Sequence, residues 1–137
     1  MITMSTYTVY SYMANKFPDL AKYLKNGVVD RKEQQSIGIL QGSDTRSSGN
    51  LAIGGLSCTT VRMLPVNIKI RWTDNQKACD DKSVEIYNAL LLEKSNFMIG
   101  EAKVACIQLL DVCPVSLGRD EKNVCESIIR ANFYYYV

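Results

Sequence analysis

The sequence predicts an α+β fold, on three observations. A strictly alternating stretch, Val66-Asn67-Ile68-Lys69-Ile70-Arg71-Trp72, runs into a segment whose apolar residues recur at helical spacing. Two further long stretches of β character follow it, one ending near Cys113 and one reaching Val137. The 137 residues, 47% of them hydrophobic, are enough for one real core and too apolar for global disorder. A single domain spanning 1–137 is therefore expected.

From the N-terminus, Val9, Tyr10, Met13 and Phe17 recur at three- and four-residue steps, which predicts a helix from Thr6 onward. Pro18 disfavours the α conformation at Phe17 and can open a second short helix as its first residue. Leu20, Tyr23 and Leu24 continue the stripe to a stop at Asn26-Gly27. The stripe is read as core or interface rather than as a ligand box. Gln35–Gln41 alternates weakly, with Ile37 and Ile39 on one parity, and is the first expected strand.

The loop Gly42–Gly55 holds half of the eight glycines. It lacks the lysine followed by Ser or Thr, and the following helix, that a phosphate-cradling loop needs. Loops of this length are functional or disordered. Ordering one costs about 1–2 kcal/mol per residue in backbone entropy. A neighbouring subunit can supply contacts that offset this; a simple mobile hairpin loop is the competing reading.

Cys58–Thr73 reads as one long strand or a bent pair. Val61 and Met63 stand on the opposite parity to Val66, so a bulge near Leu64-Pro65 is expected to bring both halves to one face. Thr73 or Asp74 is the expected cap of a helix over 74–92. Cys79, Ser83, Ile86, Tyr87, Leu90 and Leu91 form its inner face, and Lys77, Asp80, Asp81, Lys82 and Glu85 a solvated one. A strand over about Glu101–Cys113, a turn over Pro114–Glu121 and a terminal strand then make a hairpin. In the last strand Cys125, Ile129, Phe133 and Tyr135 oppose Ile128, Tyr134 and Tyr136, so neither face is plainly polar. A strand apolar on both sides needs cover on both. Helices are expected on one side and a second protein chain on the other. Tyrosine suits such an interface. Base stacking is the alternative, weakened by a net charge of only +2.

That charge offers no electrostatic case for nucleic acid or an anionic membrane. No apolar stretch reaches bilayer length and no leader peptide is visible, so a cytoplasmic product is expected. Cys58, Cys79, Cys106, Cys113 and Cys125 are odd in number and scattered, and are read as buried free thiols. With no histidine, neither the usual zinc sets nor Ser-His-Asp or Cys-His catalysis can be built. The carboxylate pairs Asp80-Asp81 and Asp120-Glu121 do not converge: the first sits on diverging helix faces, the second in an expected turn. No enzyme, metal or cofactor is expected.

Four pieces of this chain resemble the tail terminator and minor capsid (tail-completion) proteins of tailed phages and phage-derived tail particles. They are the N-terminal helix Thr6–Asn26 ahead of a strand and variable loop; the strand Val66–Trp72 feeding the helix Asp74–Glu93; the turn Cys113-Pro114-Val115-Ser116-Leu117-Gly118-Arg119-Asp120-Glu121; and the aromatic terminal strand Ile128–Val137. The turn with its following strand is the most specific of them. The resemblance implies a mixed or mostly antiparallel sheet of about four strands with helices packed on one face. It implies a non-enzymatic homo-hexameric ring that caps the head-proximal end of a tail tube, ends tube polymerisation and presents a surface to the neck or head. The implied partners are the tail tube protein, neck or head–tail connector proteins and, in a contractile tail, the sheath. The implied location is the virion, after assembly in the bacterial host cytoplasm. A head–tail connector or stopper subunit, and a nucleic-acid-binding module, are the alternatives. Interface candidates are Asp44, Arg46, Leu51 and Ile53 in the loop, Arg119 and Asp120, which shape the hairpin or an intersubunit contact, and Tyr134 and Tyr136. The central loop and the Cys-rich strands match no motif of that family, so no contact there is carried over.

Overall fold

The N-terminal stripe folds into α1 (Thr6–Lys16), which buries Val9, Tyr12 and Met13. This computed structural model describes residues 3–28, 32–42, 54–55 and 60–137. Pro18 ends the α-helix as expected, but the chain continues as a 3-10 helix (Pro18–Tyr23) and then as a strand, β1 (Leu24–Asn26). The expected second helix therefore stops short of Asn26. Leu24–Asn26 pairs in parallel with Ile37–Ile39, a tertiary contact that helical spacing does not register.

The remaining elements are β2 (Gln35–Gln41), β3 (Val61–Trp72), α2 (Gln76–Leu91), β4 (Phe97–Ile99), β5 (Ala102–Leu109), β6 (Val115–Arg119) and β7 (Cys125–Tyr136). The helix α2 is capped by Asn75, whose side chain accepts from the Ala78 amide at 3.2 Å, rather than by Thr73 or Asp74. Among the described residues the strands form one seven-stranded mixed sheet in the order β1-β2-β3-β7-β5-β4, with β6 also on β7. The fold is α+β as expected, but the sheet exceeds the expected four strands. The additional strands β1, β4 and β6 span three to five residues, too few for a readable period.

Strand pairing defines the two faces. Leu64, Val66, Ile68 and Ile70 of β3 stand opposite Phe133, Ala131, Ile129 and Ser127 of β7, and Ile37 and Ile39 of β2 join them. On this inner face Tyr12 of α1 meets Phe133 edge-on at 6.2 Å and Tyr23 meets Trp72 at 5.1 Å. The Ser83 hydroxyl of α2 bonds that of Ser127. Both helices thus pack on one face, over a continuous core.

Two local expectations fail. The β3–β7 register runs unbroken from Val61↔Tyr136 to Arg71↔Glu126, so there is no bulge at Leu64-Pro65, and Val61 and Met63 stay on the outer face. Pro65 is tolerated at the end of the β2 ladder, one residue beyond Gln41↔Val66, where its carbonyl still accepts from the Gly42 amide at 2.9 Å and only its missing N–H goes unused. The bulges lie elsewhere, between Val104 and Cys106 and between Ser116 and Gly118. The hairpin reversal is also displaced: Val115–Arg119 is strand, and the chain turns over Asp120–Val124. There the Asp120 amide donates to the Val124 carbonyl and the Asn123 amide to the Asp120 carbonyl, both at 3.0 Å. Asn123 takes the left-handed conformation that this short loop requires (φ +63°), a conformation Asn tolerates well.

Candidate interaction surface

The outer face of the sheet is built by the other parity of the same strands. Its parity comprises Met63, Pro65, Asn67, Lys69 and Arg71 from β3, and Glu126, Ile128, Arg130, Asn132, Tyr134 and Tyr136 from β7, of which Arg71, Glu126 and Asn132 are buried. Cys106 and Gln108 of β5 stand opposite Tyr134 and Asn132 and extend it. Among the described residues no helix covers this face.

Its tyrosines are anchored without being buried. The Tyr134 hydroxyl donates to Gln108 Oε1 at 3.0 Å and the Tyr136 hydroxyl to Asn96 Oδ1 at 3.1 Å. Lys103 Nζ lies 5.3 Å from the Tyr136 ring centre, and Tyr136 remains 39% exposed. Tyr135 between them turns inward and is buried, as strand alternation requires. Further along, Lys69 pairs with Glu126 at 3.4 Å across the strands. The result is a mixed polar and aromatic surface with fixed rings.

Below this face, β5 and β6 are two segments of one path along the same edge of β7, interrupted at residues 110–114. The interruption is held from both sides. Tyr87 of α2 donates to the Asp111 carbonyl at 2.7 Å, and Arg130 grips the Asp111 carboxylate with two bonds of 2.9 and 2.7 Å. Those bonds keep the Asp111 carboxyl below its ordinary pKa. Pro114 fits here because it has no amide to contribute. The offset leaves a hollow of about 260 Å³ between α2 and β6, lined by Asp80, Ser83, Val84, Cys113, Pro114, Ser116 and Ser127.

The expected interface residues that are described fall in two places. Asp44, Arg46, Leu51 and Ile53 lie outside the described residues. Tyr134 and Tyr136 share the outer face. Arg119 and Asp120 shape the hairpin: Arg119 donates to the Asp74 carbonyl at 2.7 Å and the Asn123 carbonyl at 3.1 Å. Asp120 accepts from the Lys122 and Val124 amides and from Arg71. The uniform picture of buried thiols is corrected: Cys79 and Cys125 are buried, but Cys106 and Cys113 are exposed, and Cys58 lies outside the described residues. Cys106 is exposed because the bulge at residue 105 puts it on the outer parity. Sequence reasoning missed the β6 edge and the hollow beside it, since Pro114 and Gly118 read as turn residues.

Among the described residues no group of three or more Cys, Asp or Glu side chains converges as a metal site would. No described helix is long and apolar enough to cross a membrane. Compared with protein-family models and with curated proteins, the sequence matches none.

Proposed function

We propose that this chain is a structural, non-enzymatic assembly protein that forms a ring on the head-proximal end of a phage or phage-like tail tube. The ring ends tube polymerisation and offers the neck or head an attachment surface. The observation that carries the reading is a sheet whose helices, among the described residues, pack on one face only. Its outer face presents Met63, Ile128, Tyr134 and Tyr136 beside cross-strand charges, the mixture of aromatic area and polar tips that protein interfaces use. Of the pieces that carry the family resemblance, the aromatic terminal strand, β7, lies at the centre of that sheet, and the turn segment before it supplies β6 on its edge. Ring contacts are heterologous, joining two different surfaces of identical subunits. A stable contact commonly buries above about 1,000 Å², which the outer face and the sheet edges together can supply.

The test is the mass and shape of the purified full chain, by light scattering and negative-stain microscopy, with and without purified tail tubes. A closed ring near six copies, or one appearing only on tube ends, supports the proposal. A ring that ignores tubes and binds the portal side would make the protein a neck connector. A strict monomer indifferent to tubes would overturn the assembly reading.

A further inference from the structure

Four nucleophilic side chains meet in the core between α2 and β7, and the outer face makes no use of them. Cys79 and Ser83 come from α2, Cys125 and Ser127 from β7, and all four are buried. The two elements run side by side in the same direction. Just ahead of α2, the Thr73 carbonyl accepts from the Cys125 amide at 2.9 Å. Further on, the Ser83 hydroxyl bonds that of Ser127. One more turn along, Tyr87 reaches the Asp111 carbonyl, and the Asp111 side chain is gripped by Arg130 of β7.

The repeats of the two elements match. Four residues of helix advance about 6 Å, and two residues of strand about 6.6 Å. Cys79 stands one turn before Ser83 on the inner face of α2. Cys125 stands two residues before Ser127 on the inner parity of β7. The thiols are therefore brought together as the hydroxyls are. Hydrogen-bonded hydroxyls hold their β-carbons only slightly farther apart than the roughly 3.5–4.5 Å of a disulfide.

The surroundings of Cys79 agree with this placement. Burial is the main cause of its raised thiol pKa; the Ser127 and Ser83 hydroxyls bond the sulfur and work the other way, and Cys125 is close enough to add to the rise. Both thiols are free in this structure. They lie deeper than Cys106 and Cys113, which are exposed.

We propose that Cys79 and Cys125 are a latent disulfide pair, a redox-sensitive staple that fastens α2 to the central strand β7. The oxidant is a small-molecule disulfide such as oxidised glutathione. One cysteine thiolate attacks it and a glutathione thiolate leaves; the second cysteine thiolate then displaces the other glutathione from the mixed disulfide. Two electrons pass to the oxidant, the two cysteine protons end on the two glutathione thiols released, and one S–S bond replaces another. Neither sulfur is accessible in the folded chain, so the exchange takes place as α2 docks on the sheet or lifts from it. The same burial then shields the finished bond from reductants. The bridge closes a loop that contains β4, β5 and β6, which restricts the unfolded chain. It operates whether or not the chain forms rings.

The test refolds the full chain from urea in a buffer of reduced and oxidised glutathione and maps its disulfides by peptide analysis without reduction. Cys106→Ser with Cys113→Ser removes the exposed thiols and leaves the core intact. In that variant a Cys79–Cys125 bond is expected, with the urea midpoint raised by about 1 M or more over the reduced protein and lowered again once the bond is reduced. Adding Cys125→Ala should abolish both the bond and the shift. Three outcomes overturn the staple: Cys79 and Cys125 that end reduced or capped with glutathione, a bond from either to Cys58, or a Cys79–Cys125 bond that lowers the midpoint.

Discussion

The buried guanidinium of Arg71 holds the carboxylate of Asp120, with Nε and one Nη lying 2.9 and 2.8 Å from Oδ2. Arg71 is only 1% exposed, and its other Nη donates to the Glu33 carbonyl. The other oxygen of Asp120 accepts the Lys122 and Val124 amides at 2.9 and 3.0 Å. One ion pair thus ties the approach to β2, the end of β3 and the β6–β7 turn. The Val124 amide above all, with Arg71 and the Lys122 amide, holds the Asp120 carboxyl below its ordinary pKa.

Because that pKa is lowered on folding, the stability it confers is present above the ordinary carboxylate range and is lost as pH falls through the folded value. Asp120→Asn keeps an oxygen for the two turn amides but removes the charge and turns an NH2 donor towards Arg71, so it should lower the urea midpoint at pH 7 and flatten its fall in acid. Asp120→Ala removes the turn bonds as well and should lower the midpoint further. Arg71→Met should cost more than Asp120→Asn, because it strands a carboxylate against a filled interior. Urea titrations of the three variants at pH 7 and pH 4 check the order; equal midpoints for Asn and Ala would remove the turn role.

A second clamp joins α1 to the segment after α2. The Tyr12 hydroxyl and Lys16 Nζ both donate to Glu93 Oε2, the latter at 2.7 Å. Burial works to raise the Glu93 pKa, but the bonds from Lys16 and Tyr12 outweigh it and the carboxyl lies below its ordinary value. Tyr12 is raised well above the ordinary tyrosine value, by burial first and then by the Glu93 carboxylate. The signs set a window: Glu93 stabilises above about pH 4 and loses its effect below, while Tyr12 stabilises below about pH 10 and loses it above. Tyr12→Phe should cost about 1–2 kcal/mol at pH 7. It should also reduce the loss of stability between pH 10 and 11, read by thermal melts across that range.

The cysteines separate by reactivity. Burial raises the Cys79 thiol above its ordinary pKa, and Cys125 is buried on the facing strand. Only the thiolate reacts. In the native protein Cys106 and Cys113 should therefore label with a disulfide reagent in seconds to minutes, and Cys79 and Cys125 only with unfolding. Peptide mapping of partially labelled protein checks the assignment; early modification of Cys79 would mean that α2 opens readily from the sheet.

The parts of the fold that were legible in the sequence are those with a long period. Gln35–Gln41 and the alternation of Val66 to Trp72 became strands, and Cys79, Ser83, Ile86, Tyr87 and Leu90 became the inner face of α2, because apolar residues repeat one choice of side; Leu91, expected on that face, is exposed instead. The misses share a different cause. β1 exists only because β2 is there to pair with it. β6 contains Gly118 (φ +82°), which reads as a turn, whereas the reversal belongs to Asn123 and to an Asp120 side chain whose role depends on Arg71, 49 positions away. Of the candidate surface, the two-sided apolar character of β7, through Ile128, Tyr134 and Tyr136, signalled a second face in need of cover besides the one the helices take. The hollow beside α2 had no signal, since it arises from the offset of β5 and β6 along one neighbour.

The outer face yields the last prediction. Tyr134 and Tyr136 keep their rings in place through Gln108 and Asn96, so a partner meeting them has little side-chain freedom left to freeze. In the isolated chain their removal loses two partly exposed hydrogen bonds and little core. Tyr134→Ser with Tyr136→Ser should then lower monomer stability by about 1–2 kcal/mol while abolishing ring formation or tube capping. The same protein separates the stacking alternative. Rings that read bases would bind single-stranded DNA with affinity falling steeply as salt rises, and the double variant would lose that binding. For an assembly surface, wild type should show no such binding at 150 mM salt, and the variant should lose assembly alone. If assembly persists in the double variant, the outer face is not where subunits or tube make contact, and the interface must lie at the sheet edges.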